Sequence, residues 1–369
     1  MYYEYHRCDC LEERGKECSE SSVLTSRDGT RAVTVTVVVL NYDGERFIET
    51  CLRSLKEQTF PEFEIIVVDN ASNDNSLEVV RRICSCEGRK KFKIIVNSKN
   101  LGYCGGNNVG IRESQSEYIV LLNSDTCVAP SWLENLVKAA KADKHIGICQ
   151  SKLLYEDGHI NSTGNLCDIY GYAWGRGRLE RDSQRYDLDP FGFFYASGAS
   201  LLIKRACISK VGLLDEVLFA YHDDVDLSWR ARLMGLGILY VPSSVCFHKE
   251  SRILPTRNPA RFFLTNRNRI RVLLKNYSTR KLLPRIPAAI VLILLAGTFR
   301  SIVARTPVFF QQAIRSLLWN LQILPDTLQQ RSRIQRARKT GDGEIEKYMV
   351  PYSLEICQLG CILRRMLST

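Results

Sequence analysis

The chain has 369 residues, 45% of them apolar and 25% charged, with a formal net charge of +11. That length supports a full hydrophobic core plus an appendage, and the composition excludes wholesale disorder. The charge is uneven: residues 249–339 hold 19 Lys and Arg against 2 acidic residues, about +17, leaving about −6 elsewhere. Apolar runs interleave with this basic excess, so it predicts an anionic membrane surface as partner and no nucleic acid.

The 14 cysteines are scattered, with no CxxC pair, and the start "MYYEYHRCDC" has no apolar leader core. Both point to reduced thiols in a cytosolic setting. A metal site at His6, Cys8, Cys10 and Cys18 is the less favoured alternative, and the CxC pair Cys84/Cys86 has no partner pair at zinc-finger spacing. Residues 1–30 mix charge, Ser and Cys without periodicity, which predicts a flexible N-terminal extension.

From residue 33 the pattern changes. "VTVTVVVL" (33–40) is a β-branched run fit for a strand buried on both faces. It ends at "NYDGERF", after which Phe47, Ile48, Cys51, Leu52 and Leu55 recur at helical spacing. "FEIIVVD" (63–69) predicts a second strand, and Leu77, Val80, Ile83 and Cys84 a second helix. "FKIIVN" (92–97) and "YIVLLN" (118–123) repeat the theme. Strand, loop and helix alternate four times, which predicts an α/β fold with a doubly wound, mostly parallel, Rossmann-like sheet. Such sheets bind ligands at the carboxyl ends of their strands, and polar residues cluster there: 41–43, 69–72, 97–108 and 123–125. Between residues 155 and 194 the periodicity fades and no element is traced. "ASGASLLIKR" (196–205) and "GILYVPSSVCFH" (237–248) then read as strands.

Asn123 and Asp125 close a buried strand, where a carboxylate suits Mg²⁺ or Mn²⁺ shared with phosphate oxygens; an Asx turn is the plain alternative. "AYHDDVDLSWR" sets Asp223, Asp224 and Asp226 within four positions. A helix start accounts for one or two of them, through capping by Asp223 and an i,i+4 pair from Asp226 to Arg230. The third works against repulsion, and repulsion raises a carboxylate's pKa toward that of a general base. His248 ends a strand that follows this helix, so it can return to the same edge.

Together, "VVVLNYDGERFIETCLRSLKEQTFPEFEIIVVDNASNDNS", "NLGYCGGNNVG", "LLNSDT" and "HDDVDLSWRARLMG" resemble the family 2 inverting glycosyltransferases of GT-A fold, in their rhamnosyltransferase-like branch. The resemblance spans about residues 33–275. It implies that Asn41, Asp43 and Asp69 contact the base and ribose of a nucleotide-diphosphate sugar. It implies that Asn100, Gly102, Gly106 and Asn107 line the diphosphate and sugar. Asp125 matches the last Asp of the family's DxD metal motif, with Asn123 standing at the first Asp position on the nucleotide-sugar side. His248 matches a histidine that ligates the metal in some members, and Asp224 matches the catalytic base, with Asp223 as its competitor. TDP-rhamnose or a UDP-sugar is the implied donor, and a lipid-linked or glycan hydroxyl the acceptor. A sugar nucleotidyltransferase would need a Gly-rich basic loop after the first strand, which "NYDGERF" does not supply; a non-catalytic member of the fold is the other alternative.

The expected organisation is an extension (1–30), a catalytic domain (31–255) and a basic helical C-terminal region (256–369). In the last, "IPAAIVLILLAGTF" (286–299) falls short of a bilayer span, and Phe310, Ile314, Leu317, Leu318 and Leu321 form an apolar stripe. The expectation is interfacial attachment to the cytoplasmic face of the cell membrane. The competing expectation packs the stripe on the catalytic domain or on a second subunit, a homo-oligomer.

Overall fold

A computed structural model gives the structure of residues 34–85, 91–250 and 258–367. The N-terminal extension with His6, Cys8, Cys10 and Cys18 lies outside the described residues, as does Cys86. The described cysteines are all free thiols.

The first half follows the expected alternation: β1 (Val35–Asn41), α1 (Ile48–Lys56), β2 (Glu64–Asp69), α2 (Ser76–Ser85), β3 (Lys91–Val96), α3 (Gly102–Glu113), β4 (Tyr118–Asn123). Then come β5 (Thr126–Val128), α4 (Trp132–Ala142), β6 (Ile146–Leu154), β7 (Ile160–Ser162), β8 (Asn165–Cys167), β9 (Ala173–Gly175), β10 (Ser200–Lys204), α5 (Arg205–Val211), α6 (Asp223–Leu233) and β11 (Gly237–His248). One sheet runs β3-β2-β1-β4-β10-β6-β11-β5, with β7 beside β6, and β8–β9 form a separate hairpin. β3, β2, β1 and β4 are parallel, and β10 is antiparallel to both neighbours. Strand order reverses at β1, which lies between β2 and β4, so a crevice opens there at the carboxyl ends.

Period-two alternation decides which layer each strand residue serves. Val35, Val37 and Val39 join Ile48, Leu52 and Leu55 of α1 and Trp132 of α4 in one core. Val38 joins Cys104 and Ile111 of α3 and Trp229 of α6 in the other. Each fully buried Leu, Ile or Phe side chain in these cores stabilises by about 1.5–3 kcal/mol. The register of β11 on β6 shifts between Val241 and Val245, where Pro242 has no N–H to give the ladder. Past that irregularity β11 pairs with β5, which delivers His248 opposite Thr126.

The C-terminal helices are α7 (Pro259–Asn276), α8 (Thr279–Ala304), α9 (Val308–Gln322), α10 (Leu324–Ala337), α11 (Asp342–Glu346) and α12 (Leu354–Leu367). The described residues form one compact unit. The Asn258 carboxamide caps α7 by accepting from Ala260 N at 2.8 Å, with Pro259 at the first helical position. The cations of α7 turn inward: Arg269, Arg271 and Lys275 are buried. Arg269 pairs with Glu355, Arg271 with Asp215 and Asp326, and Lys275 with Asp215 and Asp226. Three of the 19 basic residues thus neutralise carboxylates inside the protein rather than facing solvent.

The apolar run at 286–299 sits within the 26-residue α8, long and apolar enough to cross a membrane by length and composition, and 28% of its most apolar stretch is buried. α9 buries Phe309, Ala313, Ser316 and Asn320 on one face, with Phe309 edge-on to Phe262 of α7, while Phe310, Ile314, Leu318 and Leu321 on the opposite face are exposed. Leu283, Val291, Leu295 and Ile302 of α8 are exposed as well. The two helices cross closely at Gly297, where a Cβ would stand 3.0 Å from that of Ala313.

Candidate active site

Asn41 and Asp69 end adjacent parallel strands in register, and the Asn41 carboxamide donates to Asp69 Oδ1 at 2.9 Å and to Ser76 Oγ at 2.8 Å. Ser72 completes Asp69's shell through its backbone N–H and hydroxyl. Both residues are buried, and Asn41 Oδ1 has no hydrogen-bond partner. Asp43, exposed and at φ +48°, accepts from the Asn73 backbone at 2.7 Å, tying the loop after β1 to the loop after β2. Asn70 does the same one strand further on. Its amide donates to Asn100 Oδ1 and Gly102 O, and its oxygen accepts from Asn97 and from Leu101 N. The result is a pre-ordered polar floor across β1, β2 and β3.

α3 begins on this floor. Gly102 sits at φ +72°, and a Cβ there would stand 2.5 Å from the Phe219 ring and carbonyl. No other residue type fits that approach without shifting the loop before α6. Gly106 is occupied by packing, because a Cβ would meet Leu40 at 2.4 Å, so its bareness seats α3 on β1. Asn107 donates to Tyr103 O and leaves its own Oδ1 buried and unpartnered. Tyr103 donates to Gly198 O at 2.6 Å.

At the end of β4 the Asn123 backbone is clamped, accepting from the Thr126 hydroxyl and donating to Ala199 O. Asp125, in the short link from β4 to β5, has Oδ1 3.3 Å from His248 Nε2. The other ring nitrogen of His248 lies 3.4 Å from Asn161 Oδ1. Sequence separates Asp125 and His248 by more than a hundred residues, and the fold makes them neighbours. Among the described residues no group of three His, Cys, Asp or Glu side chains gathers to cage a metal. Asp125 and His248 are the side chains here that could hold a divalent cation, and a cation so held would need its remaining ligands from elsewhere, such as phosphate and water.

The three acidic residues of α6 divide. Asp226 is fully buried and belongs to the scaffold, paired with Arg230 at 2.9 Å and Lys275 at 2.9 Å and accepting from Asn276. Burial works to raise its pKa, and Lys275 and Arg230 outweigh that and hold it low. Asp223 does not cap the helix as expected. His222 holds the N-cap position, at φ +60°, and its ring donates through Nε2 to Gly171 O at 3.0 Å. Burial pushes His222 down to about 4, so it is neutral at physiological pH. Asp223, at the first helical position and buried, is pushed well above the usual carboxylate range by burial and by the charge of Asp224. Asp224 is partly exposed, accepts from Val225 N at 2.8 Å and Gly198 N at 3.4 Å, and is raised by burial to about 6. Through the backbone of Gly198 and Ala199 it is joined to Asn123 at the end of β4.

Holding it there takes strain. Phe219, Tyr221 and His222 all adopt positive φ, each costing of order 1–3 kcal/mol. Asn268 of α7 offsets this by donating to three carbonyls of the same loop, those of Leu218, Ala220 and Tyr221. Sequence reasoning missed Asn268, Asn70 and Tyr103. Asn70 sat in a polar loop already noticed, whereas nothing local marks Asn268 among the charges of α7.

Residues 36–210 match the family model described as glycosyl transferase family 2. A putative glycosyltransferase of Bacillus subtilis, EpsH, is 31% identical over 37% of this chain and 39% of its own length. An N-acetylglucosaminyl-diphospho-decaprenol L-rhamnosyltransferase of Mycobacterium tuberculosis is 23% identical over 58% of this chain and 76% of its own. The chain spans 24%, 39% and 34% of the length of three curated relatives it matches. A mannosyltransferase of Pyrobaculum calidifontis, solved with GDP-Man and Mn²⁺, superposes with a TM-score of 0.50 at 18% identity, covering 82% of this chain and 85% of that one. Residues 36–210 therefore match the family 2 glycosyltransferases, and the described residues have a GT-A-like fold.

Proposed function

We propose that the protein is an inverting glycosyltransferase that moves a sugar from a nucleotide-diphosphate donor to a hydroxyl of a lipid-linked or polysaccharide acceptor. The observation that carries this is Asp224: a partly exposed carboxylate, raised to about 6, at the ligand edge of the sheet. At neutral pH it is ionised, yet basic enough to take a proton from an acceptor hydroxyl. As the proton leaves, the oxygen attacks the anomeric carbon and the nucleoside diphosphate departs on the opposite face, inverting the configuration. Asp223 beside it, pushed up by burial and by the charge of Asp224, resists placing a second negative charge next to the base. Asn41, Asp43 and Asp69 hold the base and ribose, and Asn70 and Asn100 shape the wall toward the sugar. Asp125 and His248 would hold Mg²⁺ or Mn²⁺, which when bound neutralises the diphosphate as it leaves. The likeness to a rhamnosyltransferase acting on a polyprenyl-linked sugar favours TDP-rhamnose, with UDP-sugars next. The exposed apolar face of α8 and α9 supports attachment to the cytoplasmic membrane surface, where such acceptors reside.

The test is a panel of dTDP-, UDP- and GDP-sugars with a polyprenyl-diphosphate sugar acceptor, with Mn²⁺ or with EDTA. Asp224→Asn is expected to lower turnover at least ~10³-fold while nucleotide binding persists. Near wild-type turnover in that variant sinks the assignment of the base. Absence of transfer and of donor hydrolysis across the whole panel favours a non-catalytic member of the fold.

A further inference from the structure

The stretch that sequence could not trace, residues 155–194, builds a small surface beside the site. The β8–β9 hairpin is tied to the His248 edge twice. Gly175 packs so closely on Asn161 that a Cβ would stand 3.1 Å from its carbonyl, and Asn161 faces His248. Arg178 Nη2 donates to both oxygens of Glu250, at 2.9 and 2.7 Å, two residues past His248. The hairpin is also tied to the base. Asn165 of β8 exchanges two backbone hydrogen bonds with Tyr195. Tyr195 opens the segment that carries Gly198, whose N–H donates to Asp224 at 3.4 Å. The hairpin is therefore linked on one side to the His248 edge and on the other to the segment 195–198 that reaches Asp224.

On it stands Trp174. Trp132 and Trp229 are buried and Trp319 is half-buried, but Trp174 is 38% exposed. The Arg178 guanidinium lies 6.0 Å from its ring centroid and 5.8 Å from that of Tyr155, and Tyr155 donates to Glu250 at 2.7 Å. An indole held by a cation, itself held by a carboxylate, is a rigid apolar plate with polar groups along one side. That is how proteins offer contact area at low entropic cost. A sugar ring matches it, with C–H groups on its face and hydroxyls at its rim.

We propose that Trp174, with Arg178 and Tyr155 behind it, is the platform on which the acceptor's sugar ring stacks to present a hydroxyl to Asp224. This rests on the transferase function proposed above. It deepens it by making the recognised part of the acceptor a saccharide ring rather than its lipid or polymer tail.

The probes are methyl α- and β-hexopyranosides as acceptors, with the donor that the panel identifies. Trp174→Ala is expected to raise the acceptor KM at least tenfold, leaving the donor KM and acceptor-independent donor hydrolysis unchanged. Trp174→Phe is expected to recover all but about threefold of the loss. In the wild type, the best probe should protect the exposed tryptophan from acrylamide quenching, and this protection should vanish in Trp174→Phe. A wild-type acceptor KM in Trp174→Ala, or protection that survives Trp174→Phe, overturns the platform. Because donor hydrolysis is read separately, a failed platform stays distinct from a failed transferase: if hydrolysis persists at wild-type rate in Asp224→Asn, the base assignment falls whatever Trp174 does.

Discussion

Replacing Asp224 by Asn probes the electrostatics of the site without knowledge of donor or acceptor. In the folded protein this carboxyl keeps its proton up to about pH 6, against its ordinary 3.8. Between those values the folded state binds more protons than the unfolded chain. The stability it contributes is therefore full below 3.8 and is lost as pH rises through about 6, leaving a strained charge at neutral pH. At ~1.4 kcal/mol per pH unit the strain comes to ~3 kcal/mol. Asn has the same shape and no charge, so Asp224→Asn should gain up to ~3 kcal/mol of unfolding free energy at pH 7.5. At pH 5 the wild type has recovered part of the deficit by protonation, and the gain should shrink to about half. Urea unfolding followed by far-UV circular dichroism at both pH values reads the two numbers, provided the denaturant slope is unchanged. A variant less stable than wild type at pH 7.5, or an equal gain at both pH values, refutes the reasoning. The expected pairing of lost turnover with gained stability is the mark of a group kept strained for chemistry.

Lys275→Met should cost about 3–5 kcal/mol at pH 7, because it strips one of the two cations paired with each of Asp215 and Asp226, whose pKa values these partners hold low. The cost should fall as pH drops and those carboxyls protonate; a loss under ~1 kcal/mol at pH 7 contradicts the buried network. A Phe310→Glu/Leu318→Glu double variant places two charges on the exposed face of α9 and should reduce co-flotation with phosphatidylglycerol vesicles at least tenfold. Should wild type and variant float alike, or the wild type form a dimer that the variant dissolves, the membrane is not what covers that face.

The parallel half of the fold was legible because its strands are continuous apolar runs and its helices carry apolar residues at three-and-four spacing. β6 was not seen. Its nine residues are all buried, but Gln150, Ser151 and Lys152 interrupt the apolar run while serving hydrogen bonds and ion pairs inside. β7, β8 and β9 have three residues each, too few for any period to register. α6 carries almost no apolar stripe, since Asp226, Arg230 and Arg232 are buried alongside Trp229. Of the candidate site, the residue types and their strand-end positions were readable, including the pairing of Asp226 with Arg230. What escaped was support from a distance: Asn268 under the strained loop, and Lys275 beneath Asp226. Charge counted along the chain predicted a basic surface there, but counting cannot tell a cation aimed at solvent from one aimed at a buried carboxylate.

Those inward cations change what counts as a minimal enzyme. A fragment trimmed after β11 would keep every strand and every candidate site residue, yet release Asp215 and Asp226 from the two cations, Arg271 and Lys275, that neutralise them across the cut. Fully buried Asp226 and mostly buried Asp215 would then lack their counter-ions from α7. The arm below Asp223 and Asp224 would lose its tether to Asn268 in the same stroke. α7 is thus an internal salt of the catalytic half, and truncation libraries or domain grafts should draw their boundary beyond Asn276.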